Sequence, residues 1–298
     1  MLLAVLAASN SIGAIPLFIS VGVSSTADPN ILEKLTTDPN NLNVLGLNPN
    51  IYLLEMLFPF IIGLIAFILL VKPLNERSLL KIINGTNTFR WNRFFISAFI
   101  WIVASAIYLF AWLKFDPSDF TLNNKTITLI PLILISVFLI PFQAAFEEII
   151  FRGYLMQGFA ALVKNRWFPL IITSILFALM HVINPEVEKF GFWTMMPQYV
   201  LFGLIFGIIT ILDDGIEAAI GAHAANNAFL CIFVTNEAST LQSPAIYEQH
   251  IIYPWTEFAT MLFMGVLIIF LMKIIFKWKS FSDLFGGIVP SNASAQVP

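Results

Sequence analysis

The chain has 298 residues, of which 58% are hydrophobic and only 11% charged, with a formal net charge of -3. Ordinary soluble domains carry about 25% charged residues, so this composition belongs to an integral membrane protein. The small net charge and the lack of a basic patch exclude nucleic acid as a partner. The single cysteine, Cys231, excludes an internal disulfide and a cysteine-based zinc cluster.

A membrane span needs ~20 mostly apolar residues. Eight segments meet that need: 1–23, 51–71, 94–113, 128–150, 167–185, 194–212, 215–234 and 255–276. The first lacks the positive flank of a signal peptide and reads as a helix that spans. Loop 24–50 is rich in Asn, Pro, Asp and Thr and reads as a polar surface segment. The fourth segment is expected to continue as helix past Arg152, because "GYLMQGFAALV" stays apolar with few breakers. The expected fold is all-α, about eight transmembrane helices enclosing a polar cavity. Residues 1–279 form its single domain, with the chemistry concentrated in 128–234. Residues 280–298, ending "PSNASAQVP", are expected to be a disordered cytoplasmic tail.

Lysine and arginine placement orients the helices. With eight alternating spans, eleven cations fall on one side, in 72–93, 152–166 and after 272, and four on the other. That asymmetry predicts a cell-membrane protein with both termini in the cytoplasm. Asp213, Asp214 and Glu217 are expected in a solvated turn. Trp101, Trp112, Trp167, Trp193 and Trp255 fit lipid contact or interfacial belts.

The stretch "FEEIIFRGYL" places two carboxylates and a guanidinium in an apolar run. Residues four apart share a helix face, so Glu148 and Arg152 are predicted to pair, while Glu147 points elsewhere and stays available. Two of the three histidines, His181 and His223, also lie in apolar spans, and Asn227 shares the face of His223. Ionisable groups at membrane depth are costly and usually functional. A converging site is expected from Glu147, His181, His223 and Asn227. Two chemistries suit it. In one, Glu147 is a general base for a water held by His181, and His223 and Asn227 donate to an oxyanion. In the other, Glu147, His181 and His223 bind zinc, which activates the water. The residues alone do not choose between zinc and no metal.

These motifs resemble those of the CAAX protease and bacteriocin-processing family, which includes the type II CAAX prenyl endopeptidase. The family's E-E-x-x-x-R motif is matched by Glu147, Glu148 and Arg152. Its F-x-x-x-H is matched by Phe177 and His181, and its H-x-x-x-N by His223 and Asn227. The resemblance implies an intramembrane endopeptidase acting on a peptide or protein substrate in or near the bilayer. It implies Glu147 and His181 as water activators, His223 and Asn227 as oxyanion donors, and Glu148 and Arg152 as structural support. Two other functions stand beside it. One is a proton-coupled transporter, for which internal repeats and broken helices would be the sign. The other is a non-catalytic immunity or scaffold protein of the same fold.

Overall fold

A computed structural model describes residues 1–37, 42–123, 126–278 and 280–287. The chain is almost wholly helical. Helices α1 (Leu2–Ser11), α2 (Ile15–Ala27) and α3 (Ile31–Thr37) lead into α4 (Pro49–Asn75). Asn48 caps α4, accepting from the amide of Asn50, with Pro49 at the first helical position. Then come α5 (Leu79–Ile83), α6 (Trp91–Phe115) and α7 (Thr126–Glu148). A π-helical stretch, Ile149–Leu155, carries α7 directly into α8 (Met156–Val163). The helix therefore does run on past Arg152, as the unbroken apolar run predicts. Helices α9 (Trp167–Leu179), α10 (Pro185–Phe190), α11 (Phe192–Asp213), α12 (Glu217–Phe233) and α13 (Pro254–Phe276) complete the bundle.

Among the described residues, six helical stretches are long and apolar enough to cross a membrane: Leu2–Ala27, Pro49–Asn75, Trp91–Phe115, Thr128–Val163, Phe192–Asp213 and Pro254–Phe276. The other two of the eight expected spans are shorter helices, α9 with 13 residues and α12 with 17. Helix α9 ends at Leu179, a turn follows over 180–183, and Asn184, which precedes Pro185 and so disfavours helix, keeps α9 from joining α10. His181 therefore lies in the turn beyond α9 and not within a span. Helix α12 is rich in Ala and Gly and is buried from Glu217 to Ala225 between α6, α7 and α11.

The two ends of the bundle differ. At one end, β1 (Phe120–Leu122) pairs antiparallel with β3 (Tyr247–Gln249), and β2 (Val234–Thr235) joins β3 in parallel. Asp119 ties this end together, accepting from Trp112 Nε1 at 3.1 Å, Gln249 Nε2 at 3.0 Å and the Ile251 amide at 2.6 Å. At the other end, Arg90 pairs with Asp213 at 3.0 Å and Glu217 at 2.6 Å, and Arg93 with Asp213 at 3.2 Å. Asp213 and Glu217 are buried, which corrects the expectation of a solvated turn. Their counter-charges come from the basic loop before α6, more than a hundred residues earlier in the chain. Trp278 also donates to Asp213 at 2.6 Å.

Of the expected tail, residues 280–287 are described. They include a 3-10 turn, Phe281–Phe285, whose Phe281 and Leu284 pack on the core around α11 and α13. Residues 288–298 lie outside the described residues.

Candidate active site

The π-helical stretch follows Glu148 immediately, and such stretches often mark functional positions. Glu148 and Arg152 are both fully buried and pair at 2.8 Å, as their spacing predicts. Arg152 also donates to the Gly203 carbonyl at 3.1 Å. Its guanidinium carbon lies 4.6 Å from the Phe177 ring centroid and 5.7 Å from that of Phe206. A cation removed from water needs such a cage of acceptors and π faces.

The Glu148 oxygen that receives Arg152 also lies 2.8 Å from His223 Nδ1. The ring's other nitrogen is 3.6 Å from Glu147 Oε2. His223 therefore stands between the two glutamates. Phe206 stacks on its ring at 4.8 Å between centroids and 14° between planes. A carboxylate can only accept, so His223 Nδ1–H donates to Glu148 and Nε2 faces Glu147.

Glu147 differs from its neighbour. Its side chain keeps 12% exposure where that of Glu148 has none. Oε1 accepts from Gln143 Nε2 at 2.6 Å, while Oε2, like Oε2 of Glu148, has no hydrogen-bond partner. Asn227 donates to Gln143 Oε1 at 3.0 Å and so reaches Glu147 through one intermediary. Gln143 was absent from the sequence expectation, although it stands four residues before Glu147 on the same face.

His181 makes no hydrogen bond to either carboxylate. Its Nδ1 is 2.7 Å from the Phe177 carbonyl, and its ring stacks on Tyr199 at 4.4 Å and 22°. Phe177 separates the two histidines, with its centroid 4.6 Å from His181 and 6.1 Å from His223. Among the described residues, no three His, Cys, Asp or Glu side chains come together as a group that could hold a metal ion. The expected ligand set Glu147, His181 and His223 therefore does not fit zinc in this arrangement, because His181 is turned to Tyr199.

Fold and site together define a multi-pass helical membrane protein with a buried glutamate–histidine–arginine centre. Residues 125–229, the segment that carries this centre, match the family described as Rce1-like, type II CAAX prenyl endopeptidase. The resemblance carried by the three motifs is thus borne out over that segment. The chain is also 31% identical over 194 residues to the uncharacterized protein YyaK of Bacillus subtilis (strain 168). That match covers 64% of this chain and 63% of the relative, less than two thirds of its length. No solved structure matches.

Proposed function

We propose that this protein is an intramembrane endopeptidase that hydrolyses a peptide bond of a membrane-associated substrate with Glu147 as general base. The observation that carries the reading is the contrast between the two glutamates. Each has one oxygen without a hydrogen-bond partner, but Glu148 is fully buried and committed to Arg152 and His223, while Glu147 keeps 12% side-chain exposure and accepts only from the neutral Gln143. A base must be free to take a proton, and a support must not be.

In the proposed reaction, water attacks the peptide carbonyl carbon and gives its proton to Glu147. The carbonyl oxygen becomes an oxyanion that accepts from Asn227 Nδ2, which has a second hydrogen beyond the one given to Gln143. Collapse of the intermediate breaks the C–N bond, and the proton passes from Glu147 to the leaving amine. His223, held by Glu148, borders Glu147 and shares the proton. His181 lines the other side of Phe177, where it meets the substrate and not the base. The family's name points to prenylated C-terminal tails as one substrate class.

The reading is tested with purified protein in proteoliposomes and a library of lipid-anchored and unanchored peptides. Glu147→Gln should cut turnover by a factor on the order of 10² to 10⁴ and leave the melting temperature near wild type. Turnover should survive a chelator. Full turnover by Glu147→Gln on a cleaved peptide would sink the assignment.

A further inference from the structure

A thread of side-chain hydrogen bonds enters the site from α6. Trp101 Nε1 donates to Asn226 Oδ1 at 3.1 Å, and Asn226 Nδ2 donates to Asn227 Oδ1 at 3.0 Å. Asn227 Nδ2 donates to Gln143 Oε1 at 3.0 Å, and Gln143 Nε2 donates to Glu147 Oε1 at 2.6 Å. Trp101 is only 3% exposed and Gln143 only 4%. The indole is thus turned into the bundle, not out to lipid as its apolar neighbours suggest.

The chemistry of the two ends sets the direction of everything between them. An indole N–H can only donate, and an ionised carboxylate can only accept. Each of the three amides must therefore accept on its Trp101 side and donate on its Glu147 side. Turning any one of them over would place oxygen against oxygen and nitrogen against nitrogen. Amide orientation is ordinarily a matter of network assignment. In this thread both termini demand the same answer. Aligned bonds in a low-dielectric interior also strengthen one another.

We propose that Trp101, Asn226 and Gln143 are positioning residues that form a one-way amide relay. The relay locks Glu147 Oε1 and holds the Asn227 amide with its N–H group, not its oxygen, toward the substrate carbonyl. The polarity lock stands on the hydrogen bonds alone, while its effect on turnover rests on the endopeptidase reading.

The test is a double-mutant cycle between Asn226 and Gln143, which are joined through Asn227. Asn226→Asp keeps shape and still accepts from Trp101, but its carboxylate also demands a donor from Asn227. Asn227 then turns its oxygen to Gln143, and the lock on Glu147 fails. In the wild-type background, Asn226→Asp should lower kcat on the order of 10-fold to 10²-fold with KM within about twofold, the signature of misplacement without lost binding. It should also lower the melting temperature in detergent.

In a Gln143→Leu background, Asn227 is free to turn, so Asn226→Asp should add little to either loss. Gln143→Met serves as the second background if the leucine variant does not fold. Additive effects on both kcat and melting temperature would overturn the relay. If the wild type cleaves none of the peptides, the melting-temperature cycle still decides the lock, and only the endopeptidase reading falls. A coupled melting cycle with no change in kcat on a cleaved substrate would sink the positioning role.

Discussion

Glu148 and His223 meet at 2.8 Å in the core, and the Glu148 oxygen that makes this contact is also the one that receives Arg152. One carboxylate oxygen thus holds together a cation and the ring that borders Glu147. Glu148→Gln removes the charge and leaves Arg152 buried without its ion-pair partner, and Arg152 Nε already lacks a hydrogen-bond partner. Breaking one side of a buried pair costs about 3–5 kcal/mol. A thermal melt in detergent should show that loss. Adding Arg152→Met should recover much of the stability, because no charge is then stranded. Activity should stay low in the double variant, since His223 Nδ1 still lacks its carboxylate. A Glu148→Gln melt equal to wild type would show that the pair does not hold the site.

Part of this arrangement is legible in the sequence, for a physical reason. Glu148 and Arg152 lie four apart on a helix, and local spacing decides their contact. His223 and Asn227 also share a face, but the residue that joins Asn227 to Glu147 is Gln143, on a different helix. Its contact with Glu147, four residues on, is local, but its contact with Asn227 is tertiary and local spacing cannot reveal it. Trp101 resembles a lipid-facing indole because its neighbours are apolar, and only the fold turns it to Asn226. Asp213 and Glu217 look solvated because their partners, Arg90 and Arg93, lie far off in the chain. His181 hydrogen-bonds to the Phe177 carbonyl and stacks on Tyr199, partners that motif order along the chain does not reveal.

The alternating ends of the bundle predict a topology. Arg90 and Arg93 belong to the basic end, and the sheet with Asp119 to the opposite one. Single cysteines at Asn87 and Glu33, both exposed, should label from opposite sides of the membrane. Cys231 is buried and should stay silent. In right-side-out vesicles an impermeant maleimide should reach the cysteine at 33 and not the one at 87. Labelling of both from the same side would sink the proposed orientation.

Asp119 makes the sheet end sensitive to acid. Burial alone would raise its carboxyl, but hydrogen bonds from Trp112, Gln249, Ile251 and His250 outweigh this and hold it below its ordinary value. A depressed carboxyl lends stability above the unfolded-state value, and loses it as pH falls through the lower folded-state value. The melting temperature of wild type should therefore exceed that of Asp119→Asn most at neutral pH. The gap should narrow below pH ~4, where the unfolded carboxyl begins to bind protons. A gap that widens on acidification would contradict this account.

Gly203 joins packing to the site through its missing side chain. A Cβ at this position would lie 2.7 Å from both Cα and Cβ of Ser174 on α9, and backbone cannot step aside cheaply. The carbonyl of the same residue accepts from Arg152 Nη2 at 3.1 Å. Gly203→Ala should therefore push α11 away from α9 and draw the acceptor away from Arg152. Overpacking of this kind costs about 1–3 kcal/mol. Gly158 supplies the control. It is exposed on α8, and a Cβ there would meet nothing within 4 Å. Gly158→Ala should raise helix stability by roughly 0.5–1 kcal/mol, the ordinary gain of alanine over glycine within a helix. The two substitutions are chemically identical, so opposite shifts in melting temperature isolate the close approach at Gly203. Turnover should fall with Gly203→Ala and hold with Gly158→Ala, because only the first moves an acceptor of Arg152. If Gly203→Ala melts at or above wild type, α9 and α11 are not packed through this contact.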